Sequence, residues 1–259
     1  MKKIKFLLIL IIFCMAVLFY AFKIEPIMLI VKEITIEFKE NASNEMKIVL
    51  FSDTHFKTDT SESYIEKIIS KINDQNADVV MFLGDLIDNH EENPVDSDMI
   101  IKLFSEIDGE KFAVMGNHDY GGGAERTYKN ILVNSDFQIL INEAVFVDDI
   151  QIIGLDDLIF GKPDYDILIE NDYENTIIIL HEGDMIDNIE GNFDIAFAGH
   201  SHGGQIAIPY IKEIIMPKGA EKYINGLYEK IYVTSGIGTT MIDARLFCPP
   251  EIVVVTIKY

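Results

Sequence analysis

The sequence predicts an α/β domain, on three observations. Short runs such as Lys47–Phe51 (KIVLF), Val79–Leu83 (VVMFL) and Thr176–Leu180 (TIIIL) are apolar almost throughout, as in strands covered on both faces. Stretches with apolar residues at helical spacing alternate with them. Polar turns rich in Asp, Asn and Gly separate the two kinds of segment.

The chain opens with MKKIK, followed by an apolar run over residues 6–22 that Lys23 closes. As a helix that run is about 25 Å long, close to the thickness of a bilayer's hydrocarbon core. Lysines at 2, 3 and 5 favour a cytoplasmic N-terminus, with the rest of the chain outside. A cleaved signal peptide is the rival reading. The apolar run is long for one, and no A-x-A-like site follows it. Residues 1–31 are therefore expected to be a membrane anchor with a juxtamembrane segment, and residues 32–259 the domain that carries the function. The stretch Pro26–Val31 suits either the membrane surface or a first strand.

Further strands are expected at Ile34–Phe38, Lys111–Met115, Gln151–Ile153, Asp194–Ala198, Lys230–Thr234 and Ile252–Ile257, all rich in β-branched or aromatic residues. Helices are expected at Ser61–Asn73, Ser97–Ile107, Ala124–Val133 and Asp164–Glu170. The Ile65, Ile68, Ile69, Ile72 stripe of the first is core packing rather than a binding face.

In α/β folds, ligands bind beyond the carboxyl ends of the strands. After Lys47–Phe51 come Asp53 and His55. After Val79–Leu83 come Asp85 and Asp88, and after Lys111–Met115 come Asn117, His118 and Asp119. His181 follows Thr176–Leu180, and His200 and His202 follow Asp194–Ala198. Of the six histidines only His90 lies elsewhere, and it reads as a solvated loop residue. Taken singly, each piece is a turn or a packed histidine. Taken together, in order and at strand ends, they are ligands for a mixed nitrogen and oxygen metal site. Seven of them are candidate ligands (Asp53, His55, Asp85, Asn117, His181, His200 and His202), too many for one ion, whereas two ions sharing a carboxylate would use all seven.

These blocks, D-x-H, G-D-x-x-D, G-N-H-D, a lone His and G-H-x-H, resemble the signature of the calcineurin-like metallophosphoesterases over about residues 34–259. GNHDYGGG, GHSHGGQI and TSGIGTTMIDARLFCPPE are similar to a bacterial branch. That branch holds membrane-associated phosphodiesterases and UDP-2,3-diacylglucosamine pyrophosphatase-like enzymes. The resemblance implies a four-layer sandwich of two mixed β-sheets flanked by helices. It implies one ion on Asp53, His55 and His202, another on Asn117, His181 and His200, and Asp85 bridging them. His118 is then the catalytic histidine, oriented by Asp88. The ions are two divalent cations, manganese first, with iron or zinc as the other fits. The implied reaction is hydrolysis of a phosphodiester or pyrophosphate by a bridging hydroxide, with a lipid-linked compound among the candidate substrates. A phosphomonoesterase with the same site is the alternative. A silent binding module would have lost ligands, and none is missing here. A proline is expected near Gly183 and is absent, which bears on the loop after His181.

The chain has 43 acidic and 21 basic residues, a net charge of −22. Nucleic acid is thereby excluded as a partner, since no cationic excess exists to displace counterions. An anionic substrate is workable only if bound cations invert the local field; two ions bring +4 against −2 from Asp53 and Asp85. Arg245, in a Gly- and Pro-bounded segment, suits a phosphate clamp or a structural ion pair equally. Cys14 and Cys248 show no disulfide or zinc-finger spacing.

Overall fold

The structure, a computed structural model, describes residues 2–168, 173–208 and 216–259. Helix α1 (Lys2–Phe19) has no buried residue, and an 18-residue stretch of the helical segment Lys2–Ile27 has a mean hydropathy of 2.7. It is long and apolar enough to cross a bilayer. The chain then makes two short irregular turns over residues 20–27 and enters β1 (Ile30–Glu37), so the end of Pro26–Val31 is strand.

Two mixed six-stranded sheets form the domain. The first runs β1-β12-β2-β3-β4-β5, with β2 at Glu45–Phe51, β3 at Val79–Phe82, β4 at Glu110–Ala113, β5 at Gln138–Ile139 and β12 at Glu251–Lys258. The second runs β10-β11-β9-β8-β7-β6, with β6 at Glu143–Val147, β7 at Ile150–Gly154, β8 at Thr176–Glu182, β9 at Ile195–Gly199, β10 at Gly226–Leu227 and β11 at Ile231–Val233. Strands β2 to β5 are parallel, as are β7, β8, β9 and β11. Strand β12 lies parallel to β1 and antiparallel to β2.

The apolar runs feed two cores at once, because successive strand residues point to opposite faces. Ile48 and Leu50 face Ile152, Ile179 and Phe197 between the sheets. Val49 and Phe51 face the opposite way, onto Ile65, Ile68 and Ile69 of α2 (Glu62–Asn73). Ser61 caps α2, its hydroxyl accepting from the Tyr64 N–H. Helices α3 (Ser97–Phe104) and α5 (Glu125–Asn134) complete that outer layer, with Leu103, Phe104, Ile131 and Leu132 buried.

The fourth layer is thinner. Short 3₁₀ turns at Tyr165–Leu168 and Gly183–Asn188 set Leu168 and Met185 against Ile178, Leu180 and Val233. The helix expected at Asp164–Glu170 is thus a single turn among the described residues, and its last two positions lie outside them. The loop lacking the expected proline is held by the Asp184 carboxylate, which accepts the backbone N–H groups of Glu221, Lys222 and Tyr223.

Candidate metal centre

The carboxyl ends of both sheets meet along one edge, and the loops there bring the sequence-marked residues together. Two loops are zipped side by side. The N–H groups of Asp53, His55 and Phe56 donate to the carbonyls of Gly84, Asp85 and Leu86. Asn117 and His118 lie in α4 (Asn117–Tyr120), a single turn after β4. The first sheet contributes these residues and the second contributes His181, His200 and His202.

Three groups of side chains present donor atoms close enough to hold a metal ion: Asp53 with His55 and His202; Asp85 with His181 and His200; and His55 with Asp85 and His118. Nε2 of His55 lies 3.1 Å from Nε2 of His202 and 3.4 Å from Oδ2 of Asp85. Nε2 of His202 is 3.6 Å from Oδ1 of Asp53, and Nε2 of His181 is 3.2 Å from Oδ2 of Asp85. Donors bonded to one ion at roughly 2.0–2.2 Å are separated by about 3–3.6 Å, so the set fits. Buried atoms without a hydrogen-bond partner include Oδ1 of Asn117 and Nε2 of His181. Such atoms are costly unless something fills the space between them.

The ring orientations are set from outside. Nδ1 of His181 donates to the Leu83 carbonyl at 2.7 Å, which leaves Nε2 facing Asp85. Nε2 of His200 donates to the Lys218 carbonyl at 3.1 Å, which leaves Nδ1 for an ion. Burial lowers the pKa of His55 to about 3 and of His200 to about 4, and pushes His202 well down, so all three are neutral and ready to coordinate. Burial raises Asp53 to about 6. Burial also opposes charge on His181 and Asp85, but their mutual attraction wins, raising His181 and lowering Asp85.

Five of these residues have left-handed backbones: Asp53 at φ 52°, His55 at 42°, Asp85 at 59°, His200 at 68° and His202 at 50°. Such positions cost on the order of 1–3 kcal/mol each and gather where function demands them. Gly116 and Gly199 are required by close approach instead. A Cβ on Gly116 would lie 2.3 Å from Oδ1 of Asp85, and one on Gly199 would lie 2.6 Å from Oδ2 of Asp53. Gly116→Ala is therefore expected to displace the Asp85 carboxylate and lower metal affinity about 10–100-fold. Metal analysis after dialysis measures this, and an undiminished metal content would show that the neighbours yield.

His118 differs from the buried rings, its side chain being 29 % exposed, and its Nδ1 lies 3.5 Å from Oδ1 of Asp88. Asp88 is also 3.9 Å from Nδ1 of His55 and 3.5 Å from Nζ of Lys57. Nothing in the motifs marks Lys57, nor the part played by Asp119. The Asp119 carboxylate is fully buried and accepts the N–H groups of Asp85, Leu86 and Gly116, strapping the loops after β3 and β4 together. Its place beside His118 in a ligand block was the only clue. His90 is not freely solvated: it is half-buried, with Nε2 3.1 Å from Oγ1 of Thr127. Arg245 is fully buried, and its guanidinium donates to the carbonyls of Ser235, Gly238 and Cys248. It braces a loop and, among the described residues, is neither a phosphate clamp nor half of a direct ion pair.

The profile of the calcineurin-like phosphoesterases matches residues 46–204, the span that carries every candidate metal ligand. The chain belongs to that family. It is similar to the uncharacterized metallophosphoesterase YkuE of Bacillus subtilis strain 168, at 32 % identity covering 92 % of this chain and 89 % of that one. It is also similar to phosphodiesterase YaeI of Escherichia coli K12, at 27 % identity covering 83 % of each chain. A third relative is the UDP-2,3-diacylglucosamine pyrophosphatase LpxG of Chlamydia muridarum, at 28 % identity covering 83 % of this chain and 84 % of that one. As a calcineurin-like phosphoesterase the protein is a hydrolase acting on phosphoester bonds.

Proposed function

We propose that this phosphoesterase cleaves a phosphodiester or pyrophosphate bond with two divalent ions, on a substrate held at a membrane. One observation carries the reading. The Asp85 carboxylate stands between the two clusters, with Oδ2 3.4 Å from Nε2 of His55 and 3.2 Å from Nε2 of His181. A carboxylate so placed can serve two ions at once. Asp53, His55 and His202 would hold one, and Asn117, His181 and His200 the other, with Asp85 shared. The donor set is that of manganese, iron or zinc rather than an all-oxygen magnesium or calcium site. Bound there, the ions would supply an activated water at neutral pH and offset charge on the phosphoryl oxygens.

The remaining chemistry falls to the chain. His118 is the most exposed ring of the cluster, so it meets the substrate. Its imidazole can hydrogen-bond a phosphoryl oxygen or give a proton to the leaving oxygen. Asp88 steadies its Nδ1 side. The names of YaeI and LpxG favour a phosphodiester or pyrophosphate over a monoester. The apolar helix supports residues 1–31 as an anchor and juxtamembrane segment that keeps the domain, residues 32–259, on the outer side of the cell membrane.

The test compares hydrolysis of a chromogenic phosphodiester and a phosphomonoester by the full chain in detergent. Chelation should abolish diester hydrolysis, and manganese should restore it. Activity that survives chelation would overturn the metal reading, and activity on the monoester alone would overturn the substrate class.

A further inference from the structure

The loop over residues 239–247 carries three exposed apolar side chains, Met241 at 97 %, Ile242 at 53 % and Phe247 at 72 % exposure. Met241 and Phe247 both have a left-handed backbone at φ 59°. For residues of this bulk that conformation is costly, and it turns their side chains into solvent rather than into a core. An outside partner that takes up apolar surface would make the arrangement favourable.

The same loop is fastened to the end of the apolar helical segment. The Arg245 N–H donates to the Ala21 carbonyl at 2.9 Å, and Ala21 lies inside the apolar run. The Cys248 N–H donates to the buried Glu25 carboxylate, and the Ile30 N–H to the Pro250 carbonyl. Every residue from 241 to 247 is within four positions of Arg245, hence within about 14 Å of that junction. The headgroup zone on each side of a bilayer is about 5–7 Å deep. Arg245 therefore lies level with the end of the apolar run, and Met241, Ile242 and Phe247 lie within about two headgroup depths of it.

The loop also borders the metal centre. The Gly238 N–H donates to the Asp53 carbonyl, and the Gln205 side chain bonds the backbone of Thr240 and Ile242. Lys57 joins Asp243 of the loop to Asp88 beside His118.

We infer that Met241, Ile242 and Phe247 form a second membrane contact, which seats in the lipid interface beside the anchor and holds the mouth of the metal centre against the bilayer. The inference rests on the anchor reading above and deepens it: the substrate class is one whose phosphoester lies at the headgroup level. A chain of net charge −22 gains nothing from anionic lipid, so the contact is apolar and insensitive to salt.

The chain contains no tryptophan, so a single introduced indole reports its own surroundings. The full chain is reconstituted in phosphatidylcholine vesicles with brominated acyl chains, as Met241→Trp, Phe247→Trp, Phe13→Trp and Phe146→Trp. Phe13 lies in α1 and reports on the anchor. Phe146 is exposed and pairs with Gln151, at the end of the second sheet away from the metal centre. Each variant should hydrolyse a soluble phosphodiester like the unaltered chain, as a check of folding. The expected result is blue-shifted, bromine-quenched emission at positions 13, 241 and 247, and water-like, unquenched emission at 146. Quenching at 13 with water-like emission at 241 and 247 overturns the second contact and leaves the anchor standing. Water-like emission at 13 overturns both. A blue shift at 241 and 247 without quenching assigns the patch to a second copy of the chain and overturns the lipid contact.

Discussion

Asp85→Asn should lower turnover by at least about 10³-fold and remove bound metal, leaving the fold in place. The substitution is isosteric. An amide oxygen at Oδ1 can still accept the His118 N–H that Asp85 accepts at 2.8 Å. The strap from Asp119 to the Asp85 N–H is untouched, because it engages only backbone. What goes is the anionic oxygen between His55 and His181. With it goes the carboxylate charge that would offset ions on both sides. A singly bonded ligand would cost one ion, whereas a shared one costs both. Metal analysis and steady-state kinetics, with circular dichroism as the folding control, measure this together. Wild-type turnover with two metals retained would show that Asp85 does not bridge.

His118→Asn should behave in the opposite way, keeping both metals while losing about 10²–10⁴-fold in turnover. The buried rings are 0 % to 6 % exposed at the side chain, whereas His118 is 29 % exposed and faces the open side. Loss of a proton donor matters most when the leaving oxygen is basic. The defect should therefore be larger for an alkyl leaving group than for a nitrophenolate. His118 does approach His55 and Asp85 closely enough to share an ion with them, so metal content is the decisive readout. One ion missing from the His118→Asn protein would make His118 a ligand and transfer the proton chemistry elsewhere.

Most of the fold could be read from local sequence. Ser61 and the isoleucine stripe mark α2 to within a residue, since a cap and a 3.6-residue period are both written locally. The candidate ligands were legible for the same reason, each standing just beyond a buried strand. What escaped was what distant parts of the chain decide together. Among the described residues strand β6 at Glu143–Val147 pairs only with β7, and its exposed edge position leaves a weak alternation. Strands β5 and β10 are two residues long. The straps of Asp119, the Lys57 link and the caging of Arg245 by carbonyls join residues far apart in sequence, which spacing cannot show. Even the left-handed backbones at Asp53 and His55 depend on two loops being zipped across β2 and β3.

Strand β12 sits between β1 and β2, so Ile30 is paired with Glu251 and Met46 with Ile257. More than two hundred residues must be synthesised between the arrival of one partner and the other. Until then β1 and β2 carry bare edges on a chain whose first segment is already suited to engage lipid. The domain therefore matures late: its first sheet cannot close on a nascent chain that still lacks β12, and a chain ending at Pro250 would remain open to proteases.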